Sequence, residues 1–125
     1  MMLAGLVCVL VLVGGGAPIN AGEPGLEPNN VLTRLLAAVE QADYDSFVAD
    51  GNAAFKAGVT KQMVEGVSAQ FSSRMKKGYQ SLYLGQLTQQ GCQVHLWRLI
   101  FKDRRDDTLA KLVLKDGKVA GFWLQ

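Results

Sequence analysis

The side chains best suited to chemistry are few in this sequence, and His95 is the first of them. It is the only histidine among the 125 residues, and it lies in an apolar stretch where a neutral imidazole could act as a general base. Three aspartates between positions 103 and 107 form an acidic group, but two arginines lie among them. This spacing predicts a solvated turn and no metal site, and no cofactor is expected. The sequence has no nucleophile-elbow or phosphate-loop motif.

The first 21 residues have the composition of an export signal. No Lys, Arg, Asp or Glu occurs before Glu23. The apolar run from Leu3 to Val13 is shorter than the roughly 20 residues that a membrane-spanning helix needs, and it is typical of the core of a secretory signal. Ala21 places a small residue at the expected cleavage point. The segment before the apolar run lacks a basic side chain, which such signals usually carry.

The composition therefore divides the chain into three parts. We predict a signal peptide over residues 1–21, a flexible leader over 22–29 and one domain over 30–125. The protein is expected to be periplasmic or extracellular, with no stable membrane span unless the signal stays uncleaved.

The domain must position His95 with helices that precede strands. Helical spacing predicts a first helix capped by Asn29 or Asn30 and ending near Ala42. It also predicts a second helix that is capped by Asp43 and interrupted near Gly51, and a third capped by Thr60. Alternating residues then predict four strands, and glycine-containing turns join the first to the second and the third to the fourth. The predicted strands are Tyr79–Gln89, Cys92–Lys102, Thr108–Lys115 and Lys118–Leu124. The fold class is α+β, with three helices packed on a four-stranded antiparallel meander.

Regular alternation through both hairpins assigns each strand residue to one face of the sheet. On the face expected to pack on the helices, His95 is the only titratable residue. The candidates for lining a pocket on this face are Leu84, His95, Trp97, Phe101 and Trp123, although the same residues could simply form the core. The opposite face is mixed, aromatic and basic, and its candidates for a dimer or partner surface are Tyr79, Tyr83, Arg98, Ile100, Lys111, Phe122 and Leu124.

The charge distribution supports two different layers. Residues 22–70 carry three basic and seven acidic side chains, whereas residues 71–125 carry ten basic and four acidic ones. The basic, aromatic face could be a solvated surface with lysine side chains lying over aromatic rings, or a surface covered by a second copy or another protein. Nucleic acid is an unfavoured partner, because no ribonucleoprotein motif is present and export argues against it.

Several segments resemble a bacterial secreted family of unknown function in the nuclear transport factor 2-like superfamily. This superfamily includes ketosteroid isomerase, scytalone dehydratase and the polyketide cyclases of the SnoaL type, and its fold is a cystatin-like cone. The segments that carry the resemblance are Asp43-Tyr44-Asp45-Ser46-Phe47, Ala53-Ala54-Phe55-Lys56, Thr60-Lys61-Gln62-Met63 and the closing hairpin from Lys115 to Phe122.

The resemblance implies a curved sheet wrapped round three helices, a pocket inside the cone and dimers formed through the outer sheet face. Enzymes of the superfamily place carboxylate, histidine or tyrosine pairs in the cone, and here His95 is the only such residue expected there. The leading hypothesis is a secreted, non-catalytic binding or assembly module that takes a small apolar ligand or a protein partner. The alternative is a small lyase or isomerase with His95 as its general base.

Overall fold

The structure is a computed structural model that describes residues 27–125, so the predicted signal peptide and most of the leader lie outside the described residues. Four helices precede four strands, which confirms the α+β class. The helices are α1 (Pro28–Gln41), α2 (Tyr44–Val48), α3 (Ala53–Gly58) and α4 (Lys61–Lys77). The strands are β1 (Tyr79–Gln89), β2 (Cys92–Phe101), β3 (Thr108–Lys115) and β4 (Lys118–Leu124).

The helix boundaries follow from local capping chemistry. The side chain of Asp43 accepts a hydrogen bond from the Ser46 amide and begins α2, and Thr60 accepts one from the Met63 amide and begins α4. The second predicted helix is two short helices, α2 and α3, with Gly51 between them. A side chain at Gly51 would have no room, because a Cβ there would lie 2.5 Å from the Phe55 ring.

The start of α1 differs from the prediction. The helix begins at Pro28, where the missing amide hydrogen costs nothing, and residue 27 is the N-cap. It therefore starts two residues before the predicted domain boundary, and neither of the asparagines at 29 and 30 caps it.

The sheet is a simple antiparallel meander in the order β1-β2-β3-β4, as predicted. Both two-residue turns have the positive φ angles that type I′ hairpins require: Gln90 and Gly91 at 53° and 78°, and Asp116 and Gly117 at 51° and 78°. The strand limits match the prediction, apart from the end of β2 one residue earlier at Phe101.

A β-bulge in β4 reverses the faces predicted for the end of the chain. Leu114 pairs with Val119 as expected, but the next pair is Val113 with Gly121, so Ala120 is an extra residue. Phe122 and Leu124 consequently face the helices and are 0% and 1% exposed. The prediction that these two residues form a partner surface is wrong.

Trp123 moves to the opposite face for the same reason. It pairs with Lys111, whose Nζ lies 5.1 Å from the centre of the indole ring. The ring also lies across Gly121, where a Cβ would come within 2.5 Å of it. The prediction that Trp123 lines an inner pocket is therefore wrong.

One apolar core joins the helices to the inner face of the sheet. The ring centre of Phe47 in α2 is 5.7 Å from that of Phe55 and 6.0 Å from that of Phe122. The ring centres of Phe71 in α4 and Phe101 are 6.2 Å apart. Burial of these rings stabilises the packing of the helices on the sheet, together with the buried aliphatic side chains of α1 and α4.

The two edges of the sheet are treated differently. At the β4 edge, the linker between α2 and α3 pairs with Val119, whose amide donates to Asp50 and whose carbonyl accepts from Asn52, both at 2.9 Å. The backbone within residues 27–125 offers no such cover to the free edge of β1.

The outer face also has buried side chains. Cys92, Val94, Val113 and Ala120 form a second, smaller cluster there, and Leu96 and Trp123 pack against it.

None of the helices between residues 27 and 125 is long and apolar enough to cross a membrane.

Candidate functional site

His95 lies on the inner face of β2 and is 4% exposed. Its Nδ1 is 3.0 Å from the hydroxyl oxygen of Tyr83, which is a hydrogen bond in either direction depending on the imidazole tautomer. The two rings lie 6.0 Å apart. A histidine–tyrosine pair therefore occupies the face on which His95 was expected to be the only titratable residue.

A bulge in β1 brings Tyr83 to this position. Gln86 pairs with His95 as predicted, but Tyr83 pairs with Trp97, so Leu84 is an extra residue between these two pairs. Every β1 residue before the bulge is consequently on the face opposite to the predicted one. Leu84 itself is 56% exposed, and its predicted place in a pocket is wrong.

The same shift corrects the two tyrosines assigned to the partner surface. Tyr79 pairs with Phe101 and packs against the main core, with ring centres 5.8 Å apart. Tyr83 lies beside Trp97 at 5.5 Å in an edge-to-face contact. Neither tyrosine is on the outer face, although half of the Tyr83 side chain remains exposed.

Trp97 links this group of rings to the helical layer. Its Nε1 donates a 2.9 Å hydrogen bond to the side-chain oxygen of Asn29, in the first turn of α1. The indole is 1% exposed and lies 6.1 Å from the His95 ring. Asn29, predicted as a possible helix cap, instead satisfies the buried indole N–H and fixes the start of α1 against β2.

The imidazole of His95 is held in its neutral form. Burial lowers its pKa below the usual 6.5, because the cation would lose more hydration than the neutral ring. Among residues 27–125, no carboxylate is hydrogen-bonded to it. Its Nε2 is buried and has no hydrogen-bond partner within that range. The ring can therefore donate or accept one further hydrogen bond, or take up a proton from a bound molecule.

The pH dependence of stability should report this environment directly. The unfolded chain takes up a proton on its only histidine near pH 6.5, whereas the folded chain does so at a lower pH. Between these two values the unfolded state binds more protons, so we expect stability to fall as the pH falls below about 6.5. Urea midpoints measured from pH 8 to pH 5 would show this slope. His95→Gln should abolish it, and an unchanged slope in that variant would contradict the assignment.

The other predicted pocket residues lie on the face assigned to them. Trp97 and Phe101 are on the inner face and are 1% and 2% exposed. Both are members of the main core, as the simpler interpretation of the sequence allowed. Their contact with a ligand stays a prediction.

Three of the residues assigned to the partner surface are on the outer face. Arg98, Ile100 and Lys111 alternate with the inner residues as predicted, and Arg98 forms an exposed ion pair with Asp107. Their role in binding a partner also stays a prediction.

The sequence analysis did not single out β1 as an uncharged strand with several exposed apolar side chains. Leu82, Tyr83, Leu84 and Leu87 are the large apolar side chains exposed within residues 27–125, and all of them belong to this strand. A signal was present, because the eleven residues of β1 contain no charged side chain. Natural edge strands usually carry lysine or proline, which discourage pairing with other chains.

No group of three or more His, Cys, Asp or Glu side chains in the described part of the chain could hold a metal ion. The aspartates of the turn after β2 have other partners. Asp103 accepts hydrogen bonds from Arg74 at 2.6 and 3.3 Å, and Asp107 accepts one from Arg98 at 2.7 Å.

Comparison with known proteins finds a distant structural similarity. No family model matches the chain, and no curated protein matches it. Among solved structures, the chain is similar to an uncharacterized cystatin fold protein from Novosphingobium aromaticivorans, with 13% sequence identity and a TM-score of 0.41. The match covers 81% of this chain and 99% of that one.

Proposed function

We propose that this domain is an exported, non-catalytic assembly module of the nuclear transport factor 2-like type that pairs with a second copy through strand β1. The observation that carries the proposal is an uncharged edge strand that no backbone between residues 27 and 125 covers and that exposes Leu82, Tyr83, Leu84 and Leu87. An exposed strand of this length is a template for pairing with another chain.

The difference between the two sheet edges supports pairing at β1. The edge at β4 is covered by the linker at Gly51 and bears Lys118, whereas no backbone between residues 27 and 125 covers β1, which exposes Leu82, Leu84 and Leu87. A surface of this kind is stabilised when a partner removes it from water.

The absence of charge along β1 favours a second copy as the partner. Two identical strands that pair antiparallel about a two-fold axis place each residue opposite one from the same sequence. Like charges in such positions would repel, and β1 has none. Arg98, Ile100 and Lys111 on the adjacent outer face would lie beside this interface rather than at its centre.

Sedimentation of residues 22–125 over micromolar concentrations tests the proposal. We expect a dimer that Leu84→Lys weakens by at least about tenfold, since Leu84 is in the middle of β1 and antiparallel pairing of two copies about that position would bring the two lysines close together. This position is exposed, so the monomer should keep its stability. Ala69→Lys adds the same charge on the exposed side of α4 and should leave the dimer unchanged. A monomer at high micromolar concentration, or equal effects of both variants, would contradict the proposal.

Export is supported by the uncharged apolar head of the sequence, and the mature chain is expected to begin at Gly22. The intact mass of protein secreted by a bacterial host would show whether residues 1–21 are removed. Recovery of the complete chain from the cytoplasm would contradict export.

A lyase or isomerase that uses His95 as general base is the second candidate. The observation that favours it is the neutral, buried imidazole with Nε2 unbonded among the described residues. A folded His95→Ala variant that kept any turnover detected in the wild type would remove this candidate.

A further inference from the structure

The most informative atom on the inner face is Nε2 of His95. A buried polar atom without a hydrogen bond is unfavourable, because it has lost water and gained nothing in exchange. The opposite ring nitrogen is bonded to Tyr83, so the ring cannot turn over to satisfy Nε2 without giving up that bond. The side chain is more than nine-tenths buried. A bound molecule with a hydrogen-bonding group would satisfy this atom.

The surroundings of His95 define what that partner must be. The imidazole contacts the rings of Tyr83 and Trp97, and the three ring centres are 5.5 to 6.1 Å from one another. The described residues bring no charged side chain into hydrogen-bonding or ring contact with this trio. Aromatic faces with one polar atom among them suit a flat, uncharged molecule.

The polar group of that molecule follows from the two tautomers of His95. If the Tyr83 hydroxyl donates to Nδ1, then Nε2 carries a hydrogen and donates. If Nδ1 donates to Tyr83, then Nε2 accepts. A hydroxyl group can both accept and donate, so it can satisfy Nε2 in either case.

Tyr83 is placed to control access. Its hydroxyl contacts the buried imidazole, yet half of its side chain is exposed. It belongs to the edge strand β1 and directly precedes the bulge at Leu84, where the regular pairing with β2 is interrupted. Movement of this one side chain would open a path from solvent to His95.

We propose that the cluster of Tyr83, His95 and Trp97 binds a small, uncharged aromatic alcohol or phenol, whose hydroxyl group hydrogen-bonds to Nε2 of His95. This site uses the inner face of the sheet and goes beyond the assembly role proposed for β1. The two are separable, because dimerisation is tested at Leu84 and ligand binding at His95.

Phenol is the probe that tests the site, and the chain provides its own reporters. The complete chain has a single histidine, so the ¹⁵N resonances of labelled His95 can be assigned without ambiguity. Phenol should shift the Nε2 resonance in a saturable way, with a dissociation constant on the order of millimolar for so small a molecule. Toluene lacks the hydroxyl group and benzoate is charged, and both should bind at least about fivefold more weakly.

The two tryptophans supply an internal control. The indole N–H resonance of Trp97, beside His95, should move with phenol, whereas that of Trp123, on the outer face, should stay unchanged. His95→Gln should weaken phenol binding about five- to tenfold. Ala69→Lys, on the exposed side of α4, should leave phenol binding unchanged.

The proposal is overturned if the Nε2 resonance stays unchanged at phenol concentrations well above the expected dissociation constant. It is also overturned if toluene binds as well as phenol, since the hydroxyl group would then have no role. Equal shifts of both indoles would indicate nonspecific binding and would contradict a site at His95.

Discussion

Replacing Phe122 by alanine is expected to lower the free energy of unfolding by about 3–5 kcal/mol, the range observed for large buried aromatic residues. The ring is 0% exposed and contacts Phe47 of α2, so its removal leaves a cavity between the sheet and the helices. Phe122→Lys should prevent folding altogether, because a lysine would be buried without a partner for its charge. Urea denaturation measures the first effect and the yield of folded protein the second.

Trp123 provides the matched control for Phe122. It is the next residue in the same strand but lies on the outer face, partly exposed beneath Lys111. Trp123→Ala should therefore destabilise the fold by clearly less than Phe122→Ala. A larger loss of stability from Trp123→Ala would contradict the bulge at Ala120. It would favour the regular register, in which Trp123 faces the helices.

Removing Arg74 is the second change with a large expected effect. Its guanidinium donates to both oxygens of Asp103 and to the carbonyl of Asp106, and lies 4.1 Å from the centre of the Phe101 ring. The two side chains of the ion pair are only 11% and 9% exposed. Arg74→Met would leave the Asp103 carboxylate without its main partner in a poorly solvated position. We expect a marked fall in the urea midpoint.

The exposed ion pair between Arg34 and Asp50 is the control for that experiment. Its side chains are 52% and 29% exposed, so water and salt screen it. Arg34→Met should shift the urea midpoint several times less than Arg74→Met. Similar shifts in both variants would contradict the importance assigned to the Arg74 pair.

The acid limb of the stability profile gives an independent test of the Arg74 pair. Hydrogen bonds from Arg74, followed by the Arg105 amide, lower the pKa of Asp103 below its usual 3.8. The stability that this contributes is complete above about pH 4 and is lost as the pH falls through the lower folded-state pKa. In Arg74→Met the loss of stability at acid pH should be smaller, since the variant removes the main cause of the lowered Asp103 pKa.

The limits of the strands could be predicted from the sequence because each has a local cause. Alternation defines β1 and β4, and the Gln90-Gly91 and Asp116-Gly117 turns define the hairpins. The caps at Asp43 and Thr60 are equally local, since each side chain bonds to a backbone amide three residues later.

The faces of β1 and β4 could not be predicted in the same way. A bulge adds one residue to one strand, and every residue beyond it then faces the other way. Leu84 and Ala120 carry no mark of a bulge themselves. A glycine follows each of them within the strand, and this is a sign of a bulge but does not fix its position. What decides the register is how the rings fit: Phe122 fills the space beside Phe47, and Tyr83 reaches His95. Both contacts join elements far apart in sequence.

The candidate site, too, could be predicted from the sequence only in part. His95 could be found by its chemistry, because it is unique in the chain. Its partner Tyr83 was assigned to the wrong face, and Asn29 was assigned to a helix cap, because their contacts depend on the bulge and on the packing of α1 against β2.

The order of the elements has a consequence for how the chain folds. All four helices precede all four strands, and each strand pairs with its neighbour in sequence. The helices and the meander can therefore form from contacts of short sequence separation, which favours fast folding. Docking of the two layers closes much longer loops, as the hydrogen bond from Trp97 to Asn29 across 68 positions illustrates. Layer docking is then the late and slow event, and a half-folded chain would expose the uncharged strand β1 to its neighbours before its core is complete.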